Sequence, residues 1–304
     1  MGTFEAPVPS GDSQPSLERQ AFHGLERLSE GRQGIRTAPA LPGIERIEAR
    51  FRGKVFEPHR HDTYAIGVTL GGVQTFDYRG VACASLPGQI IVLHPDEVHD
   101  GGAGTEAGLH YRIVYLEPSL LLRGLGEEGP GLPFVRQPVF SDAALRQELF
   151  ALLGPLDRGL EDLAASDLVA RIARGLARHA GQPGKPLGRL ALRQVERARD
   201  YLEAHALEAV SSEALEAVAG LDRYSLYRHF RKAFATSPHR FLLMRRLGQA
   251  RALIEAGEPL AAIAAATGFA DQSHLTRHFK KAFGLTPGRW AELTRWDRGR
   301  PAGS

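Results

Sequence analysis

Two sets of side chains in this sequence have the types and the spacing to do chemistry. The first is imidazole: His59, His61, His94 and His99 lie in one part of the chain, with Tyr64 among them. Clustered histidines either hold a metal such as zinc or nickel, or line a pocket and hydrogen-bond its ligand. Neither a nucleophile nor a general base with a partner accompanies them, so an enzyme is not expected. The second set is cationic and written twice. Leu226-Tyr227-Arg228-His229-Phe230-Arg231-Lys232-Ala233-Phe234 is followed 49 positions later by Leu275-Thr276-Arg277-His278-Phe279-Lys280-Lys281-Ala282-Phe283, and Pro238 and Pro287 keep the same offset. Guanidinium and ammonium groups repeated along one helix face suit DNA, where they meet phosphates and base edges.

The elements that must position the cations are short helices. Leu215, Val218 and Ala219 before Gly220, and Leu260, Ile263 and Ala264 before Gly268, predict a first helix and a tight turn ahead of each copy. Helix, glycine-containing turn and basic second helix is the grammar of helix-turn-helix recognition. Ser211 or Ser212 is expected to cap one first helix, and Asp222 and Asp271 the two second helices. Leu226, Phe230 and Phe234 recur at spacing four and must face a core, as must Leu275, Phe279 and Phe283. That leaves Arg223, Tyr224, Tyr227, Arg228, Arg231 and Lys232 outward on the first copy. On the second it leaves Gln272, Ser273, Thr276, Arg277, Lys280 and Lys281. Arginine can fork onto guanine and glutamine onto adenine, whereas Arg231, Lys232, Lys280 and Lys281 suit the backbone. A connecting helix from about His239 to Ala256, about 25 Å long, would hold the two units apart.

The run Gly268-Phe269-Ala270-Asp271-Gln272-Ser273-His274-Leu275-Thr276-Arg277-His278-Phe279-Lys280-Lys281-Ala282-Phe283-Gly284-Leu285-Thr286-Pro287 resembles the signature of the AraC/XylS family of bacterial transcription regulators. The close resemblance spans residues 189 to 296. It implies an all-α domain with two helix-turn-helix units that reads successive major grooves. Promoter DNA and a small-molecule effector are the implied partners, RNA polymerase a further one, and a homodimer the implied assembly.

Upstream, the period changes to two. Short β runs are expected at Tyr64–Leu70, Val73–Tyr78, Val81–Ala84, Ile90–Leu93 and Leu109–Leu116, broken by Gly71-Gly72, Arg79-Gly80 and Pro87-Gly88. Pro58-His59-Arg60-His61-Asp62-Thr63-Tyr64, Leu86-Pro87-Gly88-Gln89 and Pro95-Asp96-Glu97-Val98-His99 resemble the cupin-type sensor domain of AraC-like regulators, a double-stranded β-barrel with an effector in its mouth. Gly53, five residues and His59-x-His61 match the opening of the metal-binding cupin motif, but Ala65 or Ile66 stands where a glutamate ligand is wanted. No metal or cofactor is therefore assigned. His59, His61, Tyr64 and His99 are expected to contact the effector, with Ile66, Val68 and Ile91 as walls and Tyr78, Tyr111 and Tyr115 as packing. Two alternatives stay open: a cupin metalloenzyme carrying a DNA-binding domain, and an architectural DNA binder that senses nothing.

Bulk composition agrees with an α+β chain of several domains. Of 304 residues, 43% are hydrophobic and 24% charged, a globular balance, and no apolar run is long enough for a membrane span. Residues Lys185 to Arg298 carry nineteen Lys/Arg against twelve Asp/Glu, the remainder nineteen against twenty-three, so the polyanion partner belongs to the C-terminal half. One cysteine, Cys83, excludes an internal disulfide and is expected to be a small buried hydrophobe. The absence of a signal pattern suggests the cytoplasm. The expected divisions are a tail at 1–40 with weak helical character at Leu17–Leu28, a cupin-like barrel at 41–118 and a helical segment at 119–180. A linker at 181–188, the DNA-binding domain at 189–296 and a tail at 297–304 follow. Leu145, Leu149, Leu152 and Leu153 mark one helix of the middle segment, and Leu160, Leu163, Leu168, Ile172 and Leu176 a second; both could serve dimerisation or simply cover the barrel.

Overall fold

Side-chain alternation decides the layers of the N-terminal half. Strand β2 (Ile44–Phe51) turns Ile47, Ala49 and Phe51 to an inner cluster and Ile44 to an outer one. The parity continues in β4 (Tyr64–Gly72), β7 (Ile90–Leu93) and β9 (Leu109–Leu116). Ala65, Ile91, Leu93, Leu109, Tyr111 and Ile113 point inward, whereas Tyr64, Ile66, Val68, Ile90, Val92, Val114 and Leu116 point outward. Successive Cβ atoms leave a strand on opposite faces, so a sheet apolar on both must be covered on both. The structure, a computed structural model, describes residues 33–295 apart from 40, 127, 128, 130, 155 and 182–186. The helical stretch expected at Leu17–Leu28, most of the linker and the C-terminal tail lie outside the described residues.

The inner face is closed by a second sheet. With β1 (Gly34–Thr37) and β10 (Val139–Phe140), the first sheet has the order β1-β2-β9-β4-β7-β10. The second, of β3 (Lys54–His59), β5 (Gln74–Tyr78), β6 (Val81–Ser85) and β8 (His99–Ala103), has the order β3-β8-β5-β6 and adds Phe76 and Tyr78 to the inner cluster. This is the expected double-sheet barrel. The outer face is covered by α1 (Pro118–Leu125), α2 (Ala143–Leu153) and α3 (Asp162–His179), through Leu121, Leu145, Leu149, Leu152, Val169, Ile172 and Leu176.

Several sequence expectations change here. Strand β1 lies inside the stretch read as a tail; with Ile35 its single large apolar residue, four positions show no period. Helix α1 was hidden by Pro118, which here occupies the first helical position, where its missing N–H costs nothing. Leu163, expected on the inward stripe of α3, is 83% exposed, and Ile66 and Val68 face the helices rather than the barrel interior. Cys83 is half-buried on β6, which ends the order of its sheet, not a core residue.

The C-terminal half follows the expected order: α4 (Arg189–Ala204), α5 (Ser212–Ala219), α6 (Arg223–Phe234), α7 (Pro238–Ala256), α8 (Leu260–Ala266), α9 (Gln272–Phe283) and α10 (Pro287–Thr294). Ser211, Asp222 and Asp271 cap their helices by accepting from Ala214, Ser225 and His274 backbone N–H groups. Helix α7, with 19 residues, spans about 28 Å.

The two halves share a seam. The core of the second unit (Leu275, Phe279, Ile263, Trp290) is continuous with the barrel's inner cluster. Three arginines of α7 reach the sensor domain: Arg240 pairs with Asp96 at 2.8 Å, Arg245 with Asp62 at 3.0 Å and with Glu117, and Arg251 with Glu45 at 2.9 Å. Arg251 also lies over the Phe283 and Trp290 rings at 5.4 and 5.3 Å. Asp62 is only 4% exposed, so removing its cation strands a buried charge. Arg245→Ala is expected to lower the unfolding free energy by about 3–5 kcal/mol. Arg289→Ala, which breaks an exposed pair with Glu292, should change it by less than about 1 kcal/mol; chemical unfolding of both variants measures the difference.

Candidate nucleic-acid interface and effector site

Helix α6 buries Leu226, Phe230, Ala233 and Phe234, which leaves the opposite face in water. Tyr224 is 72% and Tyr227 46% exposed. The Arg228 guanidinium stacks over Tyr224 at 5.6 Å, and Arg231 lies over Tyr227 and donates to its hydroxyl at 3.2 Å. Lys232 is exposed on the last turn. Arg223 is exposed but turned back onto α5, with Glu216 at 2.8 Å and Glu213 at 3.1 Å. Helix α9 repeats the design: Leu275, Phe279 and Ala282 are buried, Gln272, Ser273, Arg277, Lys280 and Lys281 exposed, and Thr276 half-buried. Of the six apolar residues expected to face inward on α6 and α9, Phe283 alone is half-buried, and the Arg251 guanidinium covers it.

The C-terminal end of α9 rests on the sensor domain. Glu57 N–H donates to Gly284 O at 3.0 Å and Arg60 N–H to Lys281 O at 3.1 Å. Gly284 has φ +70°, and a Cβ there would stand 2.7 Å from His59 Nδ1 and 2.9 Å from Glu57 O. Glycine is thus required for both the left-handed cap and the close approach.

Beside that contact lie three of the expected site residues. His59, His61 and His99 sit ring against ring, with centroids 4.3 Å apart for His59–His99, 4.8 Å for His61–His99 and 6.2 Å for His59–His61. Strand pairing sets His59 opposite His99. Each Nδ1 meets a backbone carbonyl: Glu57 O at 2.8 Å, Thr63 O at 2.8 Å and Glu97 O at 3.0 Å. A carbonyl only accepts, so each Nδ1 carries the proton and each Nε2 keeps its lone pair. Burial drives the imidazoles toward the neutral form, His59 down to about 4 and His99 well below the ordinary value; burial and the neighbouring His59 take His61 down to about 3. Among the described residues no group of three or more His, Cys, Asp or Glu is arranged to hold a metal ion.

Tyr64 does not join them. It lies on the helix-facing side of β4 and donates to Pro133 O at 3.0 Å. His94 is separate too: its Nε2 accepts from Val135 N–H at 3.0 Å, so its Nδ1–H donates to Tyr78 Oη at 2.7 Å. Tyr115 stands edge-on to His61 at 5.1 Å, and Tyr78 and Tyr111 pack in the inner cluster. His99 also lines an open cleft of about 300 Å³ with Asp77, Arg79, Asp96, Glu97 and Asp100. Those acids, like the seam carboxylates Glu45, Asp62 and Glu117, come from several strand ends. They share no local period, and only the pairing of strands shows them as a set.

The chain matches a family model described as AraC-like ligand binding domain over residues 41–173, and one described as Helix-turn-helix domain over residues 215–292. It is 28% identical over 239 residues to the uncharacterized HTH-type transcriptional regulator YbfI of Bacillus subtilis (strain 168), covering 75% of this chain and 85% of that one. ToxT from Vibrio cholerae O395 superposes with TM-score 0.60 at 12% identity, over 84% of this chain and 100% of that one. ToxT from Vibrio cholerae strain SCE256 with an unsaturated fatty acid bound gives 0.58 at 11%, over 87% and 97%. At such identities the structural likeness concerns the fold, a β-rich domain followed by a helical one. With an AraC-like ligand-binding domain ahead of a helix-turn-helix DNA-binding domain, the chain belongs to the AraC-type transcription regulators.

Proposed function

We propose that α6 and α9 enter successive major grooves of promoter DNA and that a small molecule at the imidazole cluster controls this binding. The observation that carries the reading is that two cationic helix faces, each backed by its own buried apolar stripe, are held by one continuous helix. Arg228 and Arg277 read base edges, with Tyr224, Tyr227, Gln272, Ser273 and Thr276 beside them. Arg231, Lys232, Lys280 and Lys281 hold phosphates, and Arg223 braces α5 against α6. His59, His61 and His99 contact the effector; Tyr64 supports the helical cover. No catalytic role is assigned to the imidazoles. The chain acts in the cytoplasm as a homodimer and meets RNA polymerase at the promoter.

Arg228→Ala and Arg277→Ala should each weaken promoter binding by about 1–3 kcal/mol and relax sequence preference, with the thermal midpoint unchanged. Lys280→Ala should weaken binding to all sequences alike and lower the salt slope by about one. Fluorescence anisotropy over a salt series reads both; full affinity in both arginine variants would remove the assigned roles.

The cluster also sets an acid limit. In the unfolded chain these imidazoles bind protons near the ordinary value of 6.5, in the folded chain only near 4 for His59 and 3 for His61. Between those values the unfolded state holds more protons. Stability is therefore fully present above about pH 6.5 and falls with pH, by up to about 1.4 kcal/mol per pH unit for each imidazole. Urea titrations from pH 7 to pH 4 should show that slope, shallower in His61→Gln; equal slopes would mean that His61 is not held neutral.

A further inference from the structure

The two copies of the motif carry the same arginine in different surroundings. Arg228 and Arg277 occupy equivalent positions, each exposed on the outward face of its helix. One turn before Arg228 stands the exposed Tyr224, and the Arg228 guanidinium lies 5.6 Å from the centre of its ring. A second pair follows, with Arg231 over Tyr227 at 5.9 Å and donating to its hydroxyl at 3.2 Å. In α9 the two tyrosine positions are taken by Ser273 and Thr276. Among the described residues, neither an aromatic ring nor a carboxylate engages Arg277.

Residues four apart share a helix face, and helical side chains lean toward the N-terminus, so Arg228 folds back onto Tyr224. The ring lies outside the buried stripe of Leu226, Phe230, Ala233 and Phe234, so core packing does not account for it. An arginine has much rotamer freedom and must surrender it when it forks onto a base. A ring against the guanidinium removes part of that freedom before DNA arrives. The stack uses the flat face of the guanidinium, whereas its N–H donors leave from the edge, so the forked contact with guanine stays open. The other contact of Arg228 is a long one, 3.4 Å from Nη2 to His229 Nε2. Arg223 shows the alternative, since its donors are spent on Glu213 and Glu216.

We propose that Tyr224 is a positioning residue for base recognition: its ring holds Arg228 ready for the base edge, a support that Arg277 lacks in the second unit. Tyr224 therefore sets how sharply the first unit discriminates sequence, and it does so through Arg228. This rests on the reading of α6 as a groove-entering helix and adds the residue that orders its reading arginine.

Duplexes selected by the full chain from a randomised library supply the operator, and fluorescence anisotropy with single base-pair changes reads the discrimination. Arg228→Ala marks the base pair that Arg228 reads. At that same pair Tyr224→Ala should lose about two- to fivefold in discrimination, the size of an exposed cation–π contact. Tyr224→Phe keeps the ring and should retain the preference. Tyr224→Ala/Arg228→Ala should discriminate no less than Arg228→Ala alone, because the ring acts only through the arginine. Because Tyr224 is exposed, every variant should keep its thermal midpoint, which circular dichroism checks. A loss in Tyr224→Ala at a different base pair, full additivity in the double variant, or a Tyr224→Phe as indiscriminate as Tyr224→Ala overturns the assignment. If Arg228→Ala alters preference at no base pair, the reading of α6 falls and this assignment with it. If Arg228→Ala does alter it and Tyr224→Ala does not, the reading of α6 stands and only the role of Tyr224 falls.

Discussion

Helix α7 is anchored on one side by apolar packing and on the other by arginine. Facing the C-terminal half, its apolar residues Phe241, Leu247, Ala250 and Ile254 join the helix-turn-helix cores. Facing the N-terminal half, Arg240, Arg245 and Arg251 meet Asp96, Asp62 with Glu117, and Glu45. The helix that spaces the two DNA-reading units is thus also the strut against which the sensor is docked. Ionic contacts suit such a seam: their geometry is specific, and a buried pair is far more costly to break than to keep. A purely apolar joint would leave the register between the halves loosely defined.

The seam also explains why the second unit differs from the first. Helix α6 ends at Ala235, which takes the left-handed cap with φ +57°. Helix α9 ends at Gly284, whose missing side chain admits His59 and the backbone of Glu57. The stretch Glu57–Arg60 consequently belongs to two structures: its N–H groups hold the end of α9, and the Glu57 carbonyl orients the His59 ring. Sensor histidine and recognition helix are separated by a single segment of chain.

Within the barrel, the chemistry follows from which ring nitrogen carries the proton. Three backbone carbonyls place all three protons on Nδ1 and turn a group of histidines into a set of acceptors. His94, sixteen positions after Tyr78, goes the other way: both of its nitrogens are used, and it serves as a bracket between Tyr78 of β5 and Val135. The same residue type thus has two uses, set by where the hydrogen bonds lead and not by the type.

Much of this was legible before any coordinates. The spacing-four apolar residues of α6 and α9, the aspartates at their caps, the proline that opens α7 and the outward position of the cationic residues on α6 and α9 are local properties. Each depends on residues within a turn or two of helix, so periodicity reveals them. The positions of β2, β4, β5, β6, β7 and β9 were legible for the same reason, those of β1, β3, β8 and β10 were not, and the face of each strand was legible only in part. Tyr64 and Ile66 were placed with the histidines because they follow them closely, whereas the turn at Asp62–Thr63 sends the even positions of β4 to the helices. The carboxylates that receive Arg240, Arg245 and Arg251 had no sequence signal at all, since ion pairs across well over a hundred residues leave no period. What the sequence determined alone was the order of the C-terminal helices, the exposed faces of α6 and α9 and the longer strands, because helix and strand geometry repeat over a few residues. What only the tertiary structure decided was which faces meet: the docking of α7 on the barrel, the tautomers of the imidazoles and the acid-walled cleft all depend on groups that strand pairing and helix packing bring together.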